Sequence, residues 1–375
     1  MSDVHQVGTG LVVPVLGGRG VPMLDSARMY VCGITPYDVT HLGHAATFVW
    51  VDALVRVLRM LKVEPEVCRN VTDVDDVLDA AAFRASTPYD SFAAIQQYHF
   101  EHDLGLLNVR PVRHEPRAHR YIDHVIRLAS GLMATGTAYE RGGSVYFRGQ
   151  AAAAGLDRGE ALRLSAEYAG RPDDPAKDDP LDTAVWQGAE AGHPAWDSPW
   201  GAGRPGWHAE CVAMALSAFG VGVDVHAGGA DLRFPHHAYH AAMAEAFTGV
   251  RPYARAWMHV GVVTVGGVKM AKSAGNLVLV GDLLERHTPG AIRLMILDRP
   301  WAQGWDYSGA SLEAAAARLE DLYRAAGRTD GTSRGDAGEI RRRLAADLDV
   351  PGALEVAIET GGAAARLLIA TLGLD

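Results

Sequence analysis

Residues 29–61, MYVCGITPYDVTHLGHAATFVWVDALVRVLRML, are the stretch that decides the fold. Their first four residues form an apolar run that predicts a short buried strand, which Gly33 and Pro36 bring to an end. From residue 44 to residue 61, apolar positions recur at three- and four-residue spacings, which predicts a helix. A second apolar run at 66–71, EVCRNV, predicts the next strand and with it a β-α-β unit.

The rest of the chain continues to alternate between the two periodicities. Helices are predicted at about 90–107, 118–135 and 235–247, and strands at 143–148, 223–227, 257–263 and 278–280. Residues 151–182 are rich in Ala, Gly, Asp and Pro and are expected to run over the surface. This alternation predicts an α/β fold with a doubly wound, mostly parallel, Rossmann-like sheet.

The same pattern suggests a division into three parts. Residues 1–28 form a lead-in punctuated by Gly and Pro, and residues 29–306 form the main α/β domain, with an insertion at about 84–205. Beyond residue 307 the composition shifts to Ala, Arg and Glu with helical spacing, which predicts a small helical C-terminal domain over 307–375.

The composition narrows the classes of function. The chain has 375 residues, is 48% hydrophobic and carries a net charge of −10, which argues against an extensive nucleic-acid surface. Three cysteines cannot form a closed disulfide framework and are typical of a reducing compartment. No secretory signal or membrane-spanning apolar run is visible, so we expect a soluble, cytoplasmic protein with no membrane partner.

The first motif that carries chemistry is His41-Leu42-Gly43-His44, at the predicted start of a helix. Gly43 would permit a nucleotide to approach closely, and the helix N-terminus supplies free N–H groups and a partial positive charge for phosphates. A pair of ordinary capping histidines explains the same residues equally well.

The second motif is Lys269-Met270-Ala271-Lys272-Ser273, which glycines flank on both sides. Lys269 and Lys272 on a loop of this kind suit the negative charge that develops on a departing pyrophosphate. A solvated pair of lysines is the simpler interpretation of this motif taken alone. The two motifs in this order are more specific than either, and together they resemble the signatures of class I aminoacyl-tRNA synthetases.

A dispersed set of soft ligands forms the third candidate feature. Cys32 ends the first strand, Cys211 lies in the segment GWHAEC, and His236 follows Pro235 at a predicted helix start. Two thiolates and an imidazole suit tetrahedral Zn²⁺, with one position open for a substrate thiolate. The alternative, that buried cysteines are only small core residues, is the interpretation we adopt for Cys68.

The fourth feature is Gly228-Gly229-Ala230-Asp231, directly after the strand predicted at 223–227. Glycine at this position allows a ribose to approach, and the carboxylate of Asp231 can bind sugar hydroxyls, as acidic residues do in other nucleotide folds. A plain turn explains these residues equally well.

Five motifs in family order, MYVCGITPYDVTHLGHA, NVTDVDD, GWHAEC, GGADLRFPHH and KMAKS, resemble cysteinyl-tRNA synthetase. The resemblance is closer to a shorter group of relatives, the ligases of mycothiol biosynthesis that join cysteine to glucosaminyl-inositol. It implies a HUP-type nucleotide-binding catalytic domain and ATP-dependent formation of cysteinyl-adenylate, with ATP accompanied by Mg²⁺. The adenylate would then be attacked by an amine, which gives an amide and AMP.

The resemblance also implies residue roles. One zinc ion per chain would be held by Cys32, Cys211 and His236, and the catalytic groups would be His41, His44, Lys269 and Lys272. The residues that would bind the substrates and the adenylate are Gly33, Ile34, Thr35, Gly43, Thr47, Asn70, Val71, Thr72, Trp207, Gly229, Ala230, Asp231 and Val263.

Several departures from the family pattern bear on the acceptor. The sequence leaves no room for an anticodon-binding domain, so tRNA is an unlikely partner. Residues 169–175 read AGRPDDP where the mycothiol ligases carry Glu-Arg-Gly-Gly-Asp-Pro, and Ala271 replaces the serine of the usual KMSKS loop. His240 lies four residues after His236, where the synthetase has a glutamate ligand, so it is a possible fourth zinc ligand or an outer neighbour.

Three alternatives therefore stay open beside the mycothiol-type ligase. The same adenylation could serve another amine in a natural-product pathway, or a truncated synthetase could charge tRNA or a carrier protein. A catalytically inactive paralogue that only binds nucleotide is the third, and the intact HLGH and GWHAEC motifs speak against it. The sequence makes no prediction of the oligomeric state.

Overall fold

Strands and helices alternate along the chain of the computed structural model, which describes residues 6–7, 11–37, 39–153, 155–168, 170–271, 274–328 and 334–375. The strands are β1 (Gln6–Val7), β2 (Leu11–Val12), β3 (Val15–Leu16), β4 (Arg19–Gly20), β5 (Ser26–Ile34), β6 (Glu64–Val71), β7 (Ala138–Arg141), β8 (Ser144–Phe147), β9 (Thr183–Gly188), β10 (Gly203–Pro205), β11 (Val223–Gly229), β12 (Ala254–Val260), β13 (Val263–Val265), β14 (Val268–Lys269) and β15 (Trp305–Asp306). The helices are α1 (Leu42–Met60), α2 (Asp76–Arg84), α3 (Tyr89–Leu106), α4 (Ile122–Ala134), α5 (Arg158–Glu167), α6 (Trp207–Phe219), α7 (Ala238–Thr248), α8 (Val280–Leu284), α9 (Pro289–Leu297), α10 (Gly309–Ala326), α11 (Arg334–Ala345), α12 (Val350–Thr360) and α13 (Gly362–Leu372).

The central sheet consists of four parallel strands in the order β12-β11-β5-β6. The chain first places β6 on one side of β5 and later adds β11 and β12 on the other side, so the winding reverses between β5 and β11. Ligands of open α/β sheets bind beyond the carboxyl ends of the strands at such a switch point. The prediction of an α/β, doubly wound, mostly parallel fold is confirmed.

Helix α1 links the sheet to the C-terminal helices. Of its 19 residues, 14 are buried, which include the charged pair Asp52 and Arg56. Asp52 Oδ2 accepts hydrogen bonds from Arg56 Nε and from Arg293 Nη2 of α9, each at 2.7 Å. Arg293 also donates to the carbonyls of Leu107 and Leu372. These three residues, called the arginine cluster below, are buried, but their charges are paired and hydrogen-bonded, which is the condition for tolerating such groups in a core.

A second, antiparallel sheet of order β10-β9-β8-β7 lies within the predicted insertion. The strand predicted at 143–148 is β8, and the helices predicted near 90–107 and 118–135 are α3 and α4, the second preceded by a short helical turn at Ala118–Arg120. Residues 151–182 are more ordered than the expected surface excursion, because they contain α5. The residues after α5 line a cavity that is described below.

The C-terminal residues form the predicted helices. Helices α10 to α13 pack on one another and on α1 and α9, and bury an aliphatic seam that includes Leu312, Leu319, Leu368 and Leu372. A small sheet of order β14-β13-β15 lies between this region and the central sheet in the sequence. Within the described ranges, no helix combines the length and the apolar character that crossing a membrane requires.

Three of the predicted elements differ from the structure. The single strand expected at 257–263 is split into β12 and β13, and the helix expected from residue 235 begins at Ala238, after a wide helical turn at Arg233–His237. The strand expected at 278–280 is wrong, because Val280 begins the short helix α8. Of its three side chains, Val280 is buried, and the carbonyl of Val278 accepts a hydrogen bond from Leu42 N at 2.8 Å, which ties the segment to the start of α1.

Candidate active site

Most of the predicted site residues converge on the carboxyl edge of the central sheet. Those at the ends of β5 and β6 are Cys32, Gly33, Ile34, Thr35, Asn70, Val71 and Thr72, and those at the end of β11 are Gly229, Ala230 and Asp231. Helix α1 begins at the same edge and contributes His41, Gly43, His44 and Thr47. Residues that lie up to two hundred positions apart in the sequence are therefore neighbours here, because parallel strands end at one edge.

Gly33 and Asn70 join β5 to β6 at this edge. The Gly33 N–H donates to Asn70 Oδ1 at 2.9 Å, and Asn70 Nδ2 donates to Thr72 Oγ1, also at 2.9 Å. A side chain at position 33 would place its Cβ 1.8 Å from the Asn70 carbonyl oxygen, so only glycine fits. Asn70 and Thr72 are buried, and these hydrogen bonds hold their side chains in one orientation. Their remaining donors and acceptors are therefore positioned for a ligand.

The two histidines of the HLGH motif open α1. The side chain of His41 caps the helix, and its Nδ1 accepts from Gly43 N at 3.1 Å. The His44 ring stacks on His41 at a centroid distance of 3.8 Å. Burial, followed by the charges of His41 and Lys269, lowers the pKa of His44 to about 3. His44 is therefore neutral at physiological pH and can offer a hydrogen bond without a charge.

Lys269 lies across from the end of β11. Its Nζ contacts Asp231 Oδ2 at 2.6 Å and lies 5.7 Å from the ring centre of Tyr168. Burial opposes its charge, but the Asp231 carboxylate and Tyr168 outweigh this effect and raise the pKa of Lys269. A Cβ on Gly229 would lie 2.4 Å from Asp231 Oδ1 and 4.0 Å from Thr47 Oγ1, so Thr47, Gly229 and Asp231 are neighbours.

The remaining predicted groups are more widely placed. Val263 begins β13 and is buried directly after the end of β12, and Trp207 is the first residue of α6. Lys272, predicted as the second catalytic lysine, lies outside the described residues. The Ala271 N–H donates to Asn276 Oδ1 at 3.0 Å, and Asn276 Nδ2 donates to the Lys269 carbonyl at 3.2 Å.

Cys32, Cys211 and His236, called the thiol–imidazole set below, come together as one candidate metal centre. All three are buried, and one ligand atom from each lies within 4.8 Å of the others. Cys32 comes from β5, Cys211 from α6, and His236 from the turn before α7. Two sulfur atoms and one imidazole nitrogen brought together in a buried place are the donor chemistry that Zn²⁺ prefers.

The neighbours of the thiol–imidazole set are suited to a metal. His208 Nδ1 lies 2.9 Å from His236 Nδ1, which leaves the other nitrogen of His236 for coordination. The Trp207 ring stacks on His236 with centroids 4.3 Å apart. Burial raises the pKa of Cys32, whereas the hydrogen bond from Cys32 and the proximity of His236 lower that of Cys211. Metal binding would then release a proton from the pair, because thiolates are the ligands.

His240 belongs to a second, overlapping set. One ligand atom of His240 lies within 4.8 Å of Cys32 and of His226, and all three are buried. Among the residues that the structure describes, neither ring nitrogen of His240 has a hydrogen-bond partner. The structure thus places His240 beside Cys32 and His226, with a free nitrogen in reach of the sulfur that both sets share.

A large cavity opens beside these groups. It has a volume of about 1080 Å³ and is bounded by Thr35, Trp207 and His208 on one side. Asp75, at the end of the NVTDVDD segment, and residues 170–175 line it farther out. The cavity therefore runs from Trp207 and His208, which contact His236, to the segment in which the sequence departs from the family pattern.

The sequence and the fold were both compared with known proteins. The profile of the tRNA synthetases class I (C) catalytic domain matches residues 22–317, which is more than three quarters of the chain. Its motifs fall on the edge described above. The chain belongs to this class I synthetase family.

Curated relatives refine the position of the chain within the family. It is 43% identical over 359 residues to the L-cysteine:1D-myo-inositol 2-amino-2-deoxy-alpha-D-glucopyranoside ligase of Streptomyces avermitilis, a match that covers 94% of this chain and 86% of that protein. It is 44% identical to the ligase of the same name from Streptomyces coelicolor, with the same coverage of both chains. The relative of that name in Acidothermus cellulolyticus is 43% identical over 88% of this chain and 83% of its own. The resemblance to the mycothiol cysteine ligases is confirmed.

Solved structures of the wider class share the fold. Methionyl-tRNA synthetase of Mycobacterium tuberculosis in complex with methionyl-adenylate aligns with a TM-score of 0.63 at 16% identity, and the match covers 94% of this chain and 82% of that one. A putative arginyl tRNA synthetase from Campylobacter jejuni aligns with a TM-score of 0.55 at 14% identity, over 95% and 92% of the two chains. Both likenesses concern the fold alone.

Several groups of this synthetase-family site were missed in the sequence. His226 Nε2 and His237 Nε2 lie 3.4 Å and 3.2 Å from Cys32 Sγ, and burial lowers the pKa of both histidines. Glu210 is completely buried, and neither of its carboxyl oxygens has a hydrogen-bond partner in the described part of the chain. Each of the three lies next to a residue or motif that the sequence had singled out, so adjacency was the available signal.

Proposed function

We propose that the chain is an ATP-dependent, AMP-forming ligase that activates L-cysteine as its adenylate and transfers it to the amine of glucosaminyl-inositol. The observation that carries this proposal is the buried thiol–imidazole set beside the HLGH histidines and Lys269, at the switch point of the sheet. Its relatives at 43–44% identity are named for the same substrates.

One zinc ion per chain would be held by Cys32, Cys211 and His236, with His240 as a candidate fourth neighbour. When bound, zinc supplies a soft Lewis acid that takes the substrate thiol as thiolate and thereby discriminates against serine. The chain supports this choice: the three ligand groups are buried together, and the His208–His236 contact orients the imidazole. Trp207, stacked on His236, provides a rigid wall against a small substrate.

In the first step, the cysteine carboxylate attacks the α-phosphate of ATP, which enters with Mg²⁺, and pyrophosphate leaves. His41 and His44 at the N-terminus of α1 would contact the phosphates, where the helix dipole favours negative charge. Lys269, with Lys272, would stabilise the charge that grows on the leaving pyrophosphate. Asp231 and Gly229 would bind the ribose, and Val263 would bind the adenine through its backbone.

In the second step, the amine attacks the acyl carbon and AMP leaves. Thr35, Asn70 and Thr72 would hold the polar groups of the aminoacyl part, and the Gly33–Asn70–Thr72 hydrogen bonds already fix two of these side chains. Gly43, Thr47, Ile34, Val71 and Ala230 would complete the pocket around the adenylate. The amine would enter through the cavity of about 1080 Å³ next to Trp207.

The acceptor can be tested directly. Zinc-loaded protein is incubated with ATP, cysteine and a panel of amines that includes glucosaminyl-inositol, and amide products are identified by mass spectrometry. A cysteinyl-glucosaminyl-inositol product supports the proposal. Cysteine-dependent exchange of pyrophosphate into ATP without that product would keep the adenylation and refute the acceptor, whereas aminoacylated tRNA or carrier protein would favour the truncated-synthetase alternative.

A further inference from the structure

The cavity beside Trp207 has an acidic lining. Six carboxyl side chains line it, Asp75, Asp76, Glu167, Asp173, Asp174 and Glu190, against the three cations Arg171, Lys177 and Arg204. It reaches Thr35 and Trp207, where the proposed function places the aminoacyl group. A cationic acceptor is therefore favoured in this space.

Four of these carboxylates are already engaged. Asp76 pairs with Arg204 at 3.0 Å, Glu190 with Arg171 at 3.0 Å and Glu167 with Arg163 at 3.2 Å. Asp174 accepts hydrogen bonds from the Tyr146 hydroxyl and the Ala176 N–H, both at 2.9 Å. Asp75 and Asp173 have no ion pair within the described part of the chain, and only Asp75 is partly buried.

The start of α2 holds the Asp75 carboxylate in place. One oxygen, Oδ1, accepts from the Val77 N–H at 2.7 Å and caps α2. Asp75 follows Thr72 by three residues, at the end of the segment that leaves β6 toward the site edge. The backbone of α2 thus holds the carboxyl group of a residue that lines the cavity.

We propose that Asp75 binds the ammonium group of the acceptor in this cavity and removes its proton before it attacks the adenylate. This inference rests on the proposed function, because it requires an adenylate and an amine that meet at the edge of the sheet. Residues 170–175, with the unpaired Asp173, would contact the hydroxyl groups of the acceptor farther out.

The transfer step requires a base that accepts a proton from the acceptor. An ammonium ion has no lone pair, so one proton must pass from nitrogen to the Asp75 carboxylate before the C–N bond can form. The nitrogen lone pair then attacks the acyl carbon, and the bond from that carbon to the phosphate oxygen breaks with its electron pair on AMP. The second proton leaves nitrogen as the amide forms and passes to the phosphate of AMP.

The surroundings tune Asp75 for this task. Burial raises the pKa of Asp75 to about 6, with Asp76 adding to the rise and the Val77 N–H and Arg204 opposing it. From α6, Glu210 also faces this region, and burial raises the pKa of Glu210 as well. A carboxylate with a pKa near 6 is ionised at neutral pH and is a stronger base than an ordinary aspartate.

The experiment compares Asp75→Asn with the wild type. Asparagine caps a helix as well as aspartate does, so α2 is retained and only the base is lost. We expect pyrophosphate exchange with cysteine to stay within about threefold and amide formation with glucosaminyl-inositol to fall about a hundredfold or more. In the wild type, the rate of amide formation should fall as the pH drops below about 6. The pH–rate profile of the variant should lack this fall. Asp157→Asn, at the N-cap of α5 and outside the cavity lining, is the matched control and should retain both activities.

Hydroxylamine distinguishes loss of a base from a displaced site. It is uncharged near neutral pH, so Asp75→Asn should trap the adenylate as hydroxamate at the wild-type rate. Amide formation unaffected by the variant would overturn the role of Asp75 and leave the proposed function intact. Parallel loss of exchange and transfer would also overturn it, because it would place Asp75 in adenylation or in the fold. A wild type that forms hydroxamate and uses no amine would refute the proposed acceptor and the inference together.

Discussion

The arginine cluster and the thiol–imidazole set are both buried and polar, but they are built in opposite ways. In the arginine cluster, Asp52 accepts from Arg56 and Arg293, and Arg293 donates to two carbonyls as well. Around the thiol–imidazole set, His240 and Glu210 have polar atoms without a hydrogen-bond partner in the described ranges. Buried polar atoms are normally paired within the protein, as they are in the arginine cluster, which stabilises the fold. The unpaired polar atoms around the thiol–imidazole set are instead typical of a site where a ligand supplies the missing partner.

The largest effect is expected from Cys211→Ser. Removal of one ligand should reduce zinc affinity by more than the roughly 10–100-fold that loss of an outer partner costs, and abolish cysteine-dependent pyrophosphate exchange. Zinc content by mass spectrometry and the charge-transfer absorption of the cobalt-substituted protein report the loss. Cys68→Ala, which removes the buried cysteine outside the set, should keep one metal ion. Full zinc content in Cys211→Ser would refute the ligand assignment.

The next effect concerns the paired cluster. Arg293→Met removes one of the two ion pairs of the buried Asp52 and leaves it the pair with Arg56, and we expect this to lower the free energy of unfolding by about 3–5 kcal/mol. Urea unfolding measures this loss, and zinc content should not change in the protein that remains folded. Arg324→Met, which breaks an exposed pair with Asp321, should change stability by less than about 1 kcal/mol. Equal effects of the two variants would show that the arginine cluster is not structural.

A third prediction concerns the phosphate side of the site. Lys269→Met removes the cation that pairs with Asp231, and pyrophosphate exchange should fall by about 10²–10³-fold. Zinc content and the melting temperature should stay near those of the wild type, because the pair is partly exposed. Lys269→Arg is the control that retains the charge and should recover part of the rate. An unchanged exchange rate in Lys269→Met would remove this lysine from catalysis.

Asp75→Asn should affect stability in the direction opposite to Arg293→Met. Since the pKa of Asp75 is raised in the fold to about 6, the folded protein binds more protons than the unfolded chain between about pH 4 and 6. The unfolding free energy therefore falls as pH rises through this window and stays reduced above it. At pH 7.5 the variant should be more stable than the wild type by about 1–3 kcal/mol, and the gain should vanish near pH 4. A destabilised variant at pH 7.5 would contradict this sign.

The smallest effect is expected from His240→Leu. Its ring nitrogens form no hydrogen bond, so an apolar side chain of similar size should change the unfolding free energy by less than about 1 kcal/mol. Zinc content should be retained by the other three groups. Loss of the metal in this variant would instead identify His240 as a ligand, in place of the glutamate that the synthetase uses.

Much of this architecture could be predicted from local patterns. The apolar run of β5, the helical spacing of α1 and the apolar run of β6 are each long enough to indicate an element. The triplet at 278–280 is too short for its period to separate a strand from a helix start, and its contact with Leu42 depends on the tertiary structure. The split between β12 and β13 likewise follows from pairing partners that the local sequence does not contain.

The candidate site shows the same division. The thiol–imidazole set joins residues 32, 211 and 236, which no local spacing connects; their soft-ligand chemistry suggested them as candidates, and the resemblance to a family implied that they act together. His226 lies in the strand before the Gly228-Gly229 pair and His237 directly follows His236, so adjacency to the predicted residues was the only signal that the sequence offered for them. The raised pKa of Asp75 comes from burial between α2 and the cavity, an environment that exists only in the folded chain.

Pyrophosphate exchange with cysteine and serine tests the central claim most directly. Zinc-loaded protein is incubated with ATP, labelled pyrophosphate and either amino acid, in the absence of any amine acceptor. Exchange that depends on cysteine, is at least about a hundredfold weaker with serine, and disappears on removal of zinc is the result expected of a thiolate-selecting site. Equal exchange with serine, or exchange that survives full removal of the metal, would contradict the assignment of Cys32, Cys211 and His236.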